Sequence, residues 1–173
     1  MMLILKKCDK QKGEHMMFNI LNSFKNVGKS NDMKEETLKL GECIAEAQAG
    51  DTEAQCRLAE MYEDGDFGLE ENEDMAYAWY LEAAEHGSIE AMCKLAEVHE
   101  DGLLGQYEDE EEAFNWYMKA AEHGHAESMY TIADAYYYGN LEVDEDEDEA
   151  YKWYRKAAKH GHKGAKRMLD TFD

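Results

Sequence analysis

Proline is absent from all 173 residues, and Lys and Arg number only 18 against 40 Asp and Glu. Without proline no helix interior loses an N–H to the ring, and no cis-prolyl turn can form. The shortage of cations leaves a formal charge of −22. Such a surface repels phosphate, which argues against direct contact with nucleic acid or an anionic membrane. Long apolar runs are also missing: none approaches the roughly 18 residues of a transmembrane helix. Residues 1–5 are apolar, but Lys6 and Lys7 follow at once. A secretory core of at least about 7 apolar residues behind a basic start is therefore not formed, and a cytoplasmic location is expected. The four cysteines (Cys8, Cys43, Cys56, Cys93) follow no disulfide pattern and read as thiols in a reducing compartment.

What is present suffices for a core. Hydrophobic residues make up 44% of the chain, near the globular average. Three Trp, eleven Tyr and five Phe argue against a disordered acidic tail. The charge is segregated. Residues 1–31 sum to +4, residues 32–150 to −31 and residues 151–173 to +5. A strongly acidic middle is bracketed by two basic ends.

The middle repeats itself. Trp79, Trp116 and Trp153 are the only tryptophans, each 37 residues from the next. Tyr80, Tyr117 and Tyr154 follow them. Gly65, Gly102 and Gly139 recur at the same spacing, as do Ala76, Ala113 and Ala150 and the Ala-Ala pairs beginning at Ala83, Ala120 and Ala157. Gly87, Gly124 and Gly161 recur too, each behind a histidine (His86, His123, His160). Self-similarity at a fixed period is the mark of a repeat array, here with units 51–87, 88–124 and 125–161. Each unit reads as two helices, A and B. Helix A of the first spans 52–64, with Ala54, Leu58, Ala59, Met61 and Tyr62 at helical spacing. Thr52 and Gln55 are expected to form a capping box, and Gly65 a left-handed stop. Helix B spans 73–86, with Met75, Ala76, Trp79, Tyr80, Ala83 and Ala84 on its core face. A unit this short cannot bury its own apolar face and must stack on its neighbours. Residues 32–50 read as an N-terminal capping helix and residues 162–173 as a C-terminal one. Residues 1–31 lie outside the repeat. There residues 15–24 suit a short amphipathic helix, and docking on the first unit and a membrane or partner contact fit it equally.

The unit pattern resembles the Sel-one-like repeat family, relatives of the tetratricopeptide repeat. The residues that carry the likeness are Ala54, Leu58, Ala59, Tyr62, Gly65, Ala76, Trp79, Tyr80, Ala83, Ala84 and Gly87, with their counterparts in the next two units. His99 departs from the pattern by replacing the helix A tyrosine. The resemblance implies an all-α fold, a right-handed α-solenoid of helix-turn-helix repeats with the A helices lining the inner surface. It also implies a scaffolding or adaptor role. The paired cysteines of some secreted members, and the β-lactam binding attributed to them, have no counterpart here.

If the A helices line a groove, the positions opposite their core face become the candidate binding surface. These are Glu53, Cys56, Glu60 and Glu63, then Glu90, Cys93, Glu97 and Glu100, then Glu127, Tyr130, Asp134 and Tyr137. A ladder of carboxylates flanks a central stripe of Cys56, Cys93, Tyr130 and Arg167. A single-sign field focuses ligands of opposite charge, so a basic protein or peptide is the expected partner. An ordinary solvated face is the competing explanation. The acidic A-to-B loops at 66–74, 108–112 and 142–149 do not form a calcium loop. Counted from Asp144, position 6 is Glu149 and position 12 is Arg155, where glycine and a carboxylate are needed. The His-Gly-His runs at 123–125 and 160–162 read as helix-end chemistry rather than metal ligands. Cys56 and Cys93 would lie on helices about 8–10 Å apart, beyond the roughly 7 Å limit of a disulfide. No catalytic motif occurs, so no enzyme, cofactor or metal site is expected. The function expected is a non-catalytic interaction module. The alternatives are an inhibitor, either an immunity protein that neutralises a basic toxin or an acidic mimic of DNA. Replacing Glu60, Glu97 and Asp134 together by Lys is expected to weaken capture of a basic partner in a pull-down while the helical circular dichroism is unchanged.

Overall fold

The computed structural model describes residues 31–172. The expected helix at 15–24, with its membrane or partner contact, and the thiol of Cys8 lie outside them. The described residues form eight α-helices and one 3-10 turn, Asp66–Gly68, with no strand among them. The helices are α1 Asn31–Gln48, α2 Thr52–Asp64, α3 Glu73–Glu85, α4 Ile89–Asp101, α5 Glu110–Glu122, α6 Ala126–Tyr138, α7 Glu147–Lys159 and α8 Lys163–Leu169. The chain divides into two compact units, Met1–Gly41 and Glu42–Asp173. In the first, Lys39 Nζ lies 2.9 Å from the Glu35 carboxylate one helical turn away. The remaining observations belong to the second.

Each of its A helices (α2, α4, α6) starts from a side chain that accepts the N–H two residues into the helix. Asp51 accepts from Ala54, Ser88 from Ala91 and His125 from Ser128. The capping box expected at Thr52 and Gln55 is not formed. Thr52 is already inside α2, and the carboxylate of Asp51 is the acceptor. Gln55 is buried instead; its Nε2 donates to Ala47 O at 3.0 Å and its Oε1 lies 3.2 Å from His86 Nδ1. The A helices stop at Gly65, Gly102 and Gly139, each left-handed at φ 69°, 66° and 66°. The B helices (α3, α5, α7) are capped by Asn72, Asp109 and Asp146 and end before His86, His123 and His160.

The A-to-B connections repeat in three dimensions what the sequence does not repeat in letters. Phe67, Leu104 and Leu141, spaced by 37, all take positive φ (53°, 48°, 53°). The N–H groups of Asn72, Asp109 and Asp146 then donate back to the carbonyls of Tyr62, His99 and Tyr136, at 2.8, 2.7 and 2.8 Å. Many of the acids assigned to these loops prove helical. Glu73 and Asp74, Glu110 to Glu112, and Glu147 to Glu149 occupy first turns, where the positive end of the helix dipole favours them.

The core interleaves small and large side chains. Ala54, Ala59, Ala76, Ala83, Ala91 and Ala96 are fully enclosed and let helices approach around Leu58, Leu95 and Ile132. The tryptophans are not its deepest aromatics, contrary to the expectation of a buried Trp stripe. Trp116 is buried, but Trp79 and Trp153 are only half-buried. Lys119 and Lys156 lay their ammonium groups 3.4 Å from the ring centres of Trp116 and Trp153. The adjacent Tyr80 and Tyr154 go deeper. In the second unit the order is reversed, with Trp116 deeper than Tyr117. His99 is buried at the tyrosine position of α4, its Nε2 3.1 Å from Tyr77 Oη. At the far end Phe172 packs against Tyr137, Tyr151 and Tyr154.

Gly102 tests the turn geometry. A Cβ there would lie 3.2 Å from Glu108 N in a left-handed residue. Gly102→Ala should lower stability by about 1–2 kcal/mol, read as a lower urea midpoint.

Candidate functional site

The A helices carry all the candidate residues, and α2 and α4 bring one group of them together. Glu60, Glu63, Glu90, Cys93 and Glu97 line one open depression of about 690 Å³, with Asp64, Tyr80, Ile89, Lys94 and His125. Glu127 and Tyr130 line a second, of about 650 Å³, with His160, His162, Lys163 and Arg167 among its walls. His125 borders both, so the two adjoin at that residue. Glu53, Cys56, Glu100, Asp134 and Tyr137 line neither. Cys56 is 3% exposed, so it does not present a thiol at the surface. The start of α4 covers it, with Ser88 Oγ 3.4 Å from its Sγ. Tyr137 turns into the aromatic cluster at Phe172.

The carboxylates are of two kinds. Glu60, Glu90 and Glu97 are exposed. Burial, followed by the nearby charges of Glu90, Asp64 and Glu63, holds the Glu60 carboxyl above the ordinary carboxylate range. Glu63, Glu100 and Asp134 instead serve as acceptors for the B-helix tyrosines. Tyr80 Oη donates to Glu63 at 3.1 Å, Tyr117 Oη to Glu100 at 2.8 Å, and Tyr154 Oη to Asp134. The third bond shifts back one turn because Tyr137 stands where the first two units have glutamate. Burial and these carboxylates push all three phenols upward. Lys94 stands among these carboxylates, its Nζ 3.0 Å from Glu63. Sequence reasoning passed over it, although Arg57, 37 residues earlier, also pairs with acids, at 3.1 Å to Glu46 and 3.8 Å to Glu53.

Cys93 lies 3.3 Å from His125 Nδ1 and 3.7 Å from Ser128 Oγ. Burial pushes its thiol up, away from the thiolate that nucleophilic chemistry needs. His125 Nδ1 is engaged as a helix cap, 3.3 Å from Ser128 N, and His162 does the same for Ala165 N at 3.1 Å. The His-Gly-His runs thus end one helix and begin the next. His162 Nε2 is also 3.0 Å from Glu127, and its ring lies 4.3 Å from that of Tyr130. No three His, Cys, Asp or Glu side chains converge as for a metal ion among the described residues. None of the described helices is long and apolar enough to cross a membrane.

Asp134 gives a pH signature. Burial raises its carboxyl above 3.8, opposed by hydrogen bonds from Tyr154 and Tyr130 and by His162. A raised acid holds its proton more tightly when folded, so its contribution to stability is present at low pH and falls as pH rises through the raised value. Asp134→Asn cannot ionise yet keeps an acceptor for Tyr154. The urea midpoint of this variant relative to the unchanged protein should therefore rise from pH 4 to pH 7.

The Sel1 repeat model matches residues 52–88, 89–125 and 126–162. A crystal structure of a Sel1 repeat protein from Oxalobacter formigenes is 36% identical, with a TM-score of 0.68 over 77% of this chain and 98% of that one. The protective antigen c5321 of uropathogenic Escherichia coli, which displays an SLR fold, is 30% identical with a TM-score of 0.57. That match covers 75% of this chain and 27% of the antigen. Helicobacter pylori cysteine rich protein B shares the fold at 22% identity and a TM-score of 0.57, over 76% of this chain and 95% of that one. The search of curated proteins returns no match. With three matched repeats and a 36% identical relative covered almost end to end, the chain belongs to the Sel1 repeat family, a non-catalytic helical solenoid fold that mediates protein–protein interaction.

Proposed function

We propose that the depression between α2 and α4 docks a basic segment of a partner protein, and that this chain works as an adaptor rather than an enzyme. The observation that carries the reading is the wall itself. Five carboxylates (Glu60, Glu63, Asp64, Glu90, Glu97) face one cavity against a single ammonium, that of Lys94. Burial and then the neighbouring charges of Glu90, Asp64 and Glu63 raise Glu60, and a bound cation would relieve the repulsive part. Ile89 and the ring of Tyr80 supply apolar area at the base, on which the stem of a Lys or Arg side chain can lie.

The test separates wall carboxylates from internal ones. Asp134 is a poor choice for a charge reversal, because it accepts from Tyr154 and a change there would disturb packing. Glu60, Glu90 and Glu97 are exposed and can be neutralised to Gln together. Fluorescence anisotropy with a labelled lysine-rich peptide should show about tenfold weaker binding for the triple variant at low salt. The unchanged protein should lose affinity as salt rises past the point where the Debye length falls below about 8 Å. It should lose affinity again as pH falls and Glu60 takes up its proton. Equal binding by the variant and the unchanged protein would place the partner elsewhere.

A further inference from the structure

The two depressions meet at His125 but carry opposite charge. In the first, carboxylates dominate. The second is lined by Lys163 and Arg167, with the imidazoles of His125, His160 and His162 beside them. Its one carboxylate, Glu127, faces His162 Nε2 at 3.0 Å. Arg57, Lys94 and Lys152 are each committed to a carboxylate. Lys163 and Arg167 are exposed and form no ion pair among the described residues. Both belong to the basic end of the chain, where residues 151–173 sum to +5, and both face the same depression. Tyr130 lines the same depression, half-buried with its ring against that of His162.

We infer that the trough recognises a dipolar peptide: Lys or Arg side chains on the Glu60, Glu90 and Glu97 wall, and acidic side chains of the same segment on Lys163 and Arg167. The inference rests on the reading of the acidic depression as a docking site for a basic segment. It adds the polarity of the ligand and the direction in which it lies. From α4 to α8 is two steps between A helices, about 20 Å, the reach of about six extended residues. A uniformly basic chain would put its far end against like charge, whereas one that changes sign along its length meets opposite charge throughout.

Two C-terminally amidated peptides test this with the full chain. Both carry a lysine-rich start; about six residues on, one continues with glutamates and the other with glutamines. At low salt the glutamate peptide should bind about fivefold more tightly. The double variant Lys163→Gln, Arg167→Gln should lose that advantage and keep its affinity for the glutamine peptide. Circular dichroism confirms that it folds. No advantage for glutamate, or an advantage that survives in the double variant, overturns the inference while the docking reading stands. The same holds if a free C-terminal carboxylate on the glutamine peptide restores the tighter binding and glutamate does not. If the glutamine peptide itself fails to bind the unchanged protein, the docking reading falls and this inference with it.

Discussion

Neither helix of a 37-residue unit can remove its apolar stripe from water alone. Everything else in this protein follows from that constraint. α2 must pack on α3, and α3 on α4, and each junction needs small side chains where backbones approach. The fully enclosed alanines of each unit meet that need, and Leu58, Leu95 and Ile132 fill the space between them. Burial at roughly 25 cal/mol per Å² of apolar surface then accumulates along the stack instead of within one globular centre. α8 lays Ala165, Met168 and Leu169 on the last cluster, and Phe172 packs on the same cluster.

Stacking also decides where the charge goes. A core of alanines, leucines and tyrosines has no room for unpaired carboxylates, so the acids are driven to first turns, loops and the outward faces of the A helices. Some are drawn back in by the tyrosine hydroxyls of the B helices, which need acceptors once buried. Those carboxylates are structural. Of the ones left over, Glu60 and Glu90 meet across the seam between α2 and α4, and Glu97 lines the same depression. Mutual repulsion at a seam is tolerated because water reaches it, and it is also what a cationic ligand can relieve.

Much of the fold could be read from the letters, because helical period, capping residue and stop glycine are local signals. The period of 37, the two-helix unit and the left-handed Gly65, Gly102 and Gly139 all come from residues near one another in the chain. Where local reading failed, a competing contact won. Asp51 displaced Thr52 as the cap because a carboxylate stood one residue earlier. Gln55 was taken into the core by the carbonyl of Ala47. Trp79 and Trp153 sit nearer the surface than Tyr80 and Tyr154, whose hydroxyls each reach a carboxylate acceptor.

For the candidate site the division is sharper. The sequence alone determined that the chain is an acidic helical repeat, and which A-helix positions repeat opposite the core face, because both depend only on composition and period. Tertiary structure decided which of those positions share a cavity. Glu60 and Glu90 lie 30 residues apart and face one another only because two helices stack, and Cys56 vanished under α4 for the same reason. The meeting of an acidic and a basic depression at His125 likewise arises from packing between units. A one-dimensional pattern records which side chains point the same way, but the distance between them is set by how closely the alanine faces let the helices approach.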